Sequence, residues 1–115
     1  MASVIVIDDD KDTVRLFSEL LEENGVDVIG RGYSGKEAVS LFEKKRPDVM
    51  LIDIMMFEGS GFYAIRKIHE KNPNTKILAV TADTTRQTEE KLKKISIDVI
   101  YKPIDIKQVI SKINN

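Results

Sequence analysis

Four short apolar runs in this chain each end in a residue that could bind a metal ion or a phosphoryl group. The residues at the four run ends are Asp8-Asp9-Asp10, Asp53, Thr81 and Lys102. Parallel strands that are buried on both faces have continuous apolar sequences of this kind. Ligands of an open α/β sheet bind outside the carboxyl ends of its strands. If the four runs are neighbouring strands, carboxylates, a hydroxyl group and an ammonium group meet at one edge of a sheet.

The crowded carboxylates predict a site for a divalent cation. Adjacent carboxylates repel each other, and a hard cation such as Mg²⁺, which takes oxygen ligands and keeps several waters, relieves that repulsion. We predict Asp9 and Asp53 as direct ligands, with Asp8 acting through water. The structural alternative for such an acidic run is a helix cap with favourable charge at the helix start, and Asp10 is predicted to fill that role.

The same residues could carry out phosphoryl transfer, which requires mainly positioning and charge stabilisation from the protein. A metal ion would neutralise the phosphoryl oxygens, so that a carboxylate such as Asp53 could attack phosphorus. Lys102 would supply a positive charge and Thr81 a hydroxyl donor to the phosphoryl oxygens, and the amide of Ala82 could add a backbone donor. Each feature alone is more often structural, but four of them at four strand ends form a specific pattern.

The elements that must position these residues alternate between strand and helix periodicity along the whole chain. We predict five strands at residues 4–7, 26–29, 49–52, 77–80 and 99–101, each followed by a helix. Such alternation indicates an α/β fold with a parallel sheet and helices on both faces. Right-handed crossovers limit the topology to a few doubly wound forms. A loop over residues 57–61 is predicted to precede the third helix.

The fourth helix, predicted from about Thr84 to Lys94, is unusually polar. Its large apolar residues are Leu92 and, just beyond its end, Ile95. A helix with so few apolar side chains is thinly attached to the core of the protein. We interpret it either as an ordinary solvated surface or as a surface that contacts a partner.

Composition bounds the class of protein. The 115 residues are 42% hydrophobic and 32% charged with a formal net charge of −1, which predicts one globular domain and no overall field for nucleic acid or an anionic membrane. Cysteine is absent, which excludes disulfides and fits a reducing compartment. No apolar stretch reaches the roughly 20 residues of a membrane span, and the first residues, Met1-Ala2-Ser3, do not have the pattern of a signal peptide. We therefore expect a soluble, cytoplasmic protein without membrane contact.

The motifs at these positions resemble the receiver domains of two-component response regulators. The resemblance rests on four segments, in order along the chain: Asp8-Asp9, Asp53-Ile54-Met55-Met56 with Gly61 following, Thr81-Ala82, and Lys102-Pro103. It covers the whole chain, residues 1–115, as one receiver domain. The resemblance implies a three-layer, flavodoxin-like fold with a doubly wound, five-stranded parallel sheet of strand order 2-1-3-4-5.

The resemblance also implies roles for individual residues. Asp53 would be the phosphoacceptor, taking a phosphoryl group from a phosphohistidine of a sensor histidine kinase or phosphotransfer protein. Mg²⁺ would be held by Asp8, Asp9, Asp53 and the backbone carbonyl of Met55. Lys102 would precede a cis peptide bond to Pro103. The chain would act as a signalling switch that could autodephosphorylate, rather than as a dedicated turnover enzyme.

The implied partners follow from the same resemblance. A downstream effector or output domain would contact the surface of the fourth helix, fifth strand and fifth helix. A phosphorylation-dependent dimer is compatible with it, and direct nucleic-acid binding by this domain is not expected. We predict that phosphorylation biases two arrangements of the fourth helix and its neighbours, and that a partner recognises the favoured arrangement.

Two positions depart from the family pattern. Receivers usually have proline where this chain has Phe57, which is predicted to loosen the loop and to place an aromatic ring at the mouth of the site. The family's switch aromatic, three residues before the lysine, is Val99 here. We predict that Tyr101, the nearest aromatic residue, points to a different face of its strand, which would weaken the usual signalling step.

Two other classes of protein remain as alternatives. A haloacid-dehalogenase-type phosphatase uses the same kinds of residue, with its nucleophile in a D-x-D-x-T pattern, but Thr13 is one residue too late for that pattern. In that case Asp8, and not Asp53, would carry the phosphoryl group. The third class is an interaction module that uses this fold without being phosphorylated.

Overall fold

Five strands and five helices alternate along the chain, in a computed structural model that describes residues 1–115 apart from the side chain of Glu58. The elements in chain order are β1 (Ser3–Ile7), α1 (Lys11–Glu23), β2 (Asp27–Gly32), α2 (Gly35–Lys45), β3 (Val49–Asp53), α3 (Ser60–Lys71), β4 (Lys76–Thr81), α4 (Arg86–Lys94), β5 (Asp98–Tyr101) and α5 (Ile106–Asn114). Among the helices that the structure describes, none has the length and apolar character needed to cross a bilayer.

The sheet is parallel throughout, with the strand order β2-β1-β3-β4-β5. This is the doubly wound, flavodoxin-like arrangement, so the predicted fold class and strand order are confirmed. The central strand β3 is buried at every residue, and its neighbours β1 and β4 are buried over most of their length. Burial on both faces explains why these strands have continuous apolar sequences.

Two hydrophobic clusters lie on opposite faces of the sheet because side chains alternate along each strand. Helices α1 and α5 cover one face, with Phe17 and Val109 among the buried residues. Helices α2, α3 and α4 cover the other face, with Phe42, Ile65 and Leu92 among the buried residues. The sheet therefore has an α1/α5 face and an α2–α4 face, and all five strands end at the same edge.

Local sequence determines where the first two helices begin. The side chain of Asp10 accepts hydrogen bonds from the Asp12 amide at 3.3 Å and from the Thr13 hydroxyl at 2.7 Å, so the predicted N-cap of α1 is confirmed. Thr13 is therefore part of a helix cap. Ser34 caps α2 in the same way, accepting from the amide of Glu37 at 3.1 Å.

The second strand is longer than predicted and begins one residue later. Residues 30–32 lie beyond the predicted strand of residues 26–29, but they continue it and pair with Ile5, Val6 and Ile7 of β1. A Cβ atom at Gly30 would lie 3.2 Å from the side chain of Ile5. The missing side chain lets β1 residues pack against α2 across this strand, so here glycine serves close packing and does not end the strand.

The predicted loop over residues 57–61 is also shorter than expected. Residues Phe57–Gly59 form one turn of 3₁₀ helix, and α3 begins directly at Ser60. Gly61 lies in the first turn of α3, where a Cβ atom would be 2.5 Å from the backbone carbonyl oxygen of Asp53. Glycine at this position allows the start of α3 to approach the end of β3.

The prediction for Tyr101 is wrong. Val99 packs with the α2–α4 face, whereas Ile100 is buried on the α1/α5 face. Tyr101 is two residues beyond Val99, an even displacement, so strand alternation places both side chains on the same face. Tyr101 is also in register with Thr81 of β4 and is partly exposed. The peptide bond between Lys102 and Pro103 is cis, as expected.

Helix α4 begins at Arg86, two residues later than predicted, and is as polar as its sequence indicates. Of its nine residues, all of which the structure describes, Leu92 alone is buried. Ile95, which follows the helix, is 42% exposed. The helix surface carries an exposed ion pair between Lys93 and Glu89 at 3.1 Å. Thin attachment to the core is therefore a property of the folded chain.

Candidate functional site

The register of the sheet places the predicted site residues at one edge. Ile7 of β1 is paired with Ile52 of β3, so Asp8 and Asp53, which follow them, lie at the same level. On the other side of β3, Asp53 is paired with Val80, and Thr81 is the next residue of β4. Lys102 directly follows β5, and its amide donates to the carbonyl oxygen of Thr81 at 2.8 Å.

Lys102 joins the two buried carboxylates of this edge. Its Nζ atom lies 3.0 Å from Oδ2 of Asp8 and 3.3 Å from Oδ2 of Asp53. The two acidic side chains are 6% and 5% exposed, and the lysine side chain is 27% exposed. Each buried charge thus has a charged partner, which is the condition under which a folded protein tolerates such burial.

Backbone amides hold the second oxygen of each carboxylate. The amide of Met55 donates to Oδ1 of Asp53 at 2.8 Å, and the amide of Asp10 donates to Oδ1 of Asp8 at 3.0 Å. Each carboxylate is therefore fixed at one oxygen by the backbone and at the other by Lys102. This arrangement orients the two carboxyl groups toward each other with little rotational freedom.

The surroundings shift two ionisation equilibria. Burial raises the pKa of Asp53, and the negative charge of Asp8 raises it further, while the Met55 amide and Lys102 oppose the shift. For Lys102, burial alone would lower the pKa, but the hydrogen bond to Asp8 and the charge of Asp53 raise it overall. The lysine is thus held firmly in its charged form, whereas the ionised form of Asp53 is disfavoured by its surroundings.

The donor set suits a hard divalent cation. Asp8, Asp9 and Asp53 each offer a carboxylate oxygen, and these atoms all lie within 4.8 Å of one another. With all three ionised, one lysine leaves about two negative charges uncompensated, which a divalent cation would neutralise. Oxygen ligands with one exposed carboxylate fit Mg²⁺, which retains part of its water shell. The cluster therefore fits the metal predicted from the sequence.

Thr81 and Ala82 lie at the edge of this group and not at its centre. Thr81 is fully buried, and its hydroxyl oxygen accepts a hydrogen bond from the amide of Asp83 at 2.9 Å. Ala82 follows it on the exposed rim. Met55 is 58% exposed, and its amide is used by Asp53. The structure thus brings Asp8, Asp9, Asp53 and Lys102 together and leaves Thr81 turned toward its own loop.

A cavity of about 370 Å³ adjoins the acidic cluster. Asp9 and Phe57 both line it, together with Tyr33 and Tyr63. Phe57 is 79% exposed, so the aromatic ring that the sequence predicts beside the site does lie there. The proline-to-phenylalanine departure therefore changes the wall of the entrance rather than the carboxylates themselves.

Sequence reasoning missed Asp83. The backbone amide of Asp83 donates to the hydroxyl of Thr81. Its carboxylate accepts hydrogen bonds from the amide of Thr85 at 2.8 Å and from the hydroxyl of Thr88 at 2.6 Å. An aspartate three residues before the first residue of a helix, with threonine following, is a known pattern for a local side-chain cap. That pattern could have indicated the capping contacts, but not the link to Thr81.

Comparison with known proteins agrees with this fold and identifies the family. The family model of the response regulator receiver domain matches residues 4–114. The chemotaxis protein CheY of Thermotoga maritima is 30% identical over 112 residues, which cover 96% of this chain and 93% of that protein. The receiver domain of the Francisella response regulator 1452 superposes with a TM-score of 0.87 at 29% identity, covering 99% of this chain and 94% of that one.

Several relatives are much longer than this chain. A protein-glutamate methylesterase/protein-glutamine glutaminase of Archaeoglobus fulgidus is 33% identical over 87% of this chain, but the match spans only 29% of that protein. The chain thus spans less than a third of that protein's length, and the similarity transfers no esterase activity.

A parallel sheet of order 2-1-3-4-5, with two buried carboxylates and a lysine at its carboxyl edge, places the chain in the flavodoxin-like class of α/β domains. The chain belongs to the response regulator receiver domain family. Members of this family are signalling modules of two-component systems and not dedicated enzymes.

Proposed function

We propose that residues 1–115 form a receiver domain in which Asp53 accepts a phosphoryl group from a phosphohistidine in a Mg²⁺-dependent reaction. The observation that carries this proposal is the fixed position of Asp53. Its carboxylate is held by Lys102 at 3.3 Å and by the Met55 amide at 2.8 Å, beside two further carboxylates that could bind a metal ion.

The covalent step is an exchange of one bond to phosphorus for another. One carboxylate oxygen of Asp53 forms a bond to phosphorus, the phosphorus–nitrogen bond of the phosphohistidine breaks, and the imidazole nitrogen keeps the electron pair. A carboxylate whose pKa is raised by burial is a better nucleophile once it is ionised. The product is an acyl phosphate on Asp53.

Mg²⁺ would be held by Asp8, Asp9 and Asp53, together with the backbone carbonyl of Met55. When bound, it supplies positive charge that neutralises the phosphoryl oxygens. Lys102 can add a second positive charge, since its ammonium group already contacts both buried carboxylates. The hydroxyl of Thr81 and the amide of Ala82 are the further donors that we assign to the phosphoryl group.

The exposed apolar residues of α1 support a helical phosphodonor. Leu16 and Leu20 are 55% and 40% exposed, and a spacing of four residues places them on one side of α1, the helix that begins beside the site. Such an exposed apolar pair fits a sensor histidine kinase or phosphotransfer protein. Alanine at both positions should slow transfer from a phosphohistidine partner and leave labelling by acetyl phosphate unchanged; slowing of both reactions contradicts this docking site.

Phosphorylation would then change the surface of α4, β5 and α5, where an effector or output domain docks. The added charge of about −1.5 to −2 appears next to Lys102 and the end of β4. Helix α4 has one buried residue, so a small change in its anchoring can move its equilibrium position. Because the phosphohistidine of a two-component pathway is a cytoplasmic group, we assign this chain to the cytoplasm. Phosphorylation-dependent dimerisation through the same surface is a further part of the proposal.

The test is to incubate the protein with Mg²⁺ and acetyl phosphate and to map the labelled residue by mass spectrometry. We expect one acyl phosphate, on Asp53, that disappears in Asp53→Asn and when the metal is chelated. Asp27→Asn, at an exposed carboxylate of β2, is the matched control and should be labelled normally.

Three results would contradict the proposal. Normal labelling of Asp53→Asn refutes the assigned site. A phosphoryl group on Asp8 instead supports the phosphatase alternative. A protein that neither acetyl phosphate nor a phosphohistidine donor labels is an interaction module that works without phosphorylation.

A further inference from the structure

One residue, Asp83, is hydrogen-bonded both to Thr81 and to the start of α4. Its backbone amide donates to the hydroxyl oxygen of Thr81 at 2.9 Å. One oxygen of its carboxylate accepts from the amide of Thr85 at 2.8 Å, and the other accepts from the hydroxyl of Thr88 at 2.6 Å. The end of β4 and the first turn of α4 are thus connected through a single side chain and its own amide.

The carboxylate of Asp83 caps the start of α4 in place of the N-cap residue. Thr85 immediately precedes α4 and makes no side-chain capping bond of its own. The negative charge of Asp83 is placed where free helix amides and the positive end of the helix dipole favour it. The hydrogen bond from Thr88, followed by that from the Thr85 amide, lowers the pKa of Asp83, so the carboxylate is ionised at neutral pH.

The side chains of Thr81 and Asp53 belong to opposite faces of the sheet. Strand alternation places Thr81 with Ala79 on the α2–α4 face, whereas Asp53 follows Leu51 of the α1/α5 face. To donate to a phosphoryl group on Asp53, the hydroxyl must turn across the edge of the sheet. Such a turn takes its oxygen away from the amide of Asp83.

From this geometry we infer that Asp83 is a positioning residue that couples the orientation of the Thr81 hydroxyl to the anchoring of α4. While the hydroxyl accepts from the Asp83 amide, the turn of residues 83–85 is held in the form that caps α4. When the hydroxyl turns toward the phosphoryl group, Asp83 loses that restraint, and the two bonds from its carboxylate to the helix weaken. Because Leu92 is the only buried residue of α4, these bonds are a large share of its anchoring.

A double-mutant cycle tests the coupling without any phosphorylation. Thr88→Val removes the donor to the Asp83 carboxylate, and Thr81→Val removes the acceptor of the Asp83 amide, each with little change in shape. Each single variant should raise the amide hydrogen exchange of residues 86–95 about tenfold, the scale of one hydrogen bond to a charged group. The double variant should exchange no faster than the faster single variant. The inference is overturned if the two increases in exchange rate multiply in the double variant. It is also overturned if the exchange rate of residues 86–95 is unchanged in either single variant.

A matched control and a phosphorylated sample complete the experiment. Thr84→Val makes the same substitution at an exposed neighbour and should exchange like the unaltered protein. Donation by Thr81 to a phosphoryl group rests on the proposed function. The exchange measurements are therefore repeated on the same proteins after acetyl phosphate and Mg²⁺ are added. Phosphorylation should raise α4 exchange about tenfold in the unaltered protein and in Thr84→Val, but produce no further increase in Thr88→Val.

The outcomes separate the two proposals. Labelled protein in which Thr88→Val still shows the full phosphorylation-induced increase contradicts the role of Asp83 and leaves Asp53 as the acceptor. Protein that is not labelled contradicts the proposed function, while the cycle on the unphosphorylated variants still decides whether Asp83 couples Thr81 to α4.

Discussion

Helices α1 and α4 each follow a strand that bears site residues, yet they are attached to the sheet very differently. Helix α1 buries Val14, Phe17, Ser18 and Leu21 and is capped by its own N-cap residue. Helix α4 buries Leu92 alone and takes its cap from Asp83 in the preceding loop. The same carboxyl edge thus has a firmly packed side, which holds the acidic cluster, and a weakly packed side. We infer that the firm side serves chemistry and the weak side serves signalling.

The largest change in the free energy of unfolding is expected from a substitution in α1, and it tests whether α1 is packed more firmly than α4. Phe17→Ala removes a buried aromatic ring from the α1/α5 face and should lower the free energy of unfolding by about 4 kcal/mol. Urea denaturation followed by circular dichroism measures this loss. A loss below about 1 kcal/mol would mean that α1 is not firmly packed, and the contrast between the two helices would fail.

The corresponding change in α4 should be smaller and more local. Leu92→Ala should lower the free energy of unfolding by about 2 kcal/mol, at the low end for such truncations, because a weakly packed helix can relax around the cavity. Amide hydrogen exchange should rise selectively in residues 86–94, with residues 11–23 changed only by the global loss. Equal acceleration in both helices would show that α4 opens only when the whole protein unfolds.

Metal binding should stabilise the firm side directly. A ligand that binds only the folded state at ten times its dissociation constant adds about 1.4 kcal/mol to the free energy of unfolding. We expect Mg²⁺ to give this increase in the unaltered protein and to lose most of it in Asp9→Asn. Na⁺ at matched ionic strength is the control. An equal gain from Na⁺ would show general screening of the carboxylates instead of a metal site.

Removing the buried negative charge of Asp53 should have the smallest effect, and it should be stabilising. The raised pKa of Asp53 means that the folded state holds the proton more tightly than the unfolded state, so ionisation costs stability. Asp53→Asn should therefore raise the free energy of unfolding by about 1 kcal/mol at neutral pH. The gain should decrease as the pH falls through the folded-state pKa and vanish below about 3.8, where both states are protonated. Constant stabilisation across this range contradicts the role of charge.

The fold could be predicted closely from the sequence because its central strands β1, β3 and β4 are buried on both faces, which leaves a continuous apolar run followed by a polar residue. The exception is β2, whose predicted end at residue 29 lies just before Gly30. Its lack of a side chain instead accommodates Ile5 of the neighbouring strand. The sequence alone does not distinguish a glycine that ends a strand from a glycine that permits close packing. The distinction depends on which side chain of the neighbouring strand lies against it.

The site was predictable as a set of residue types and less so as a set of contacts. The strand-end rule indicated that Asp8, Asp53 and Lys102 meet, but not that one ammonium group bridges both carboxylates. The orientation of the Thr81 hydroxyl toward Asp83 depends on the turn after β4, which apolar periodicity does not describe. Tyr101 is an even number of residues from Val99, so the two side chains lie on the same face of β5. The pairing of Tyr101 with Thr81 agrees with this placement.

Gly61 has a practical consequence for redesign. Because the first turn of α3 rests against the backbone of Asp53, any larger residue at position 61 would push on the main chain of that aspartate. A mutagenesis library that seeks new partner preferences can vary the exposed residues Leu16 and Leu20 of α1, while Gly61 stays fixed. Partner choice and chemical competence can then be selected separately in the same small scaffold.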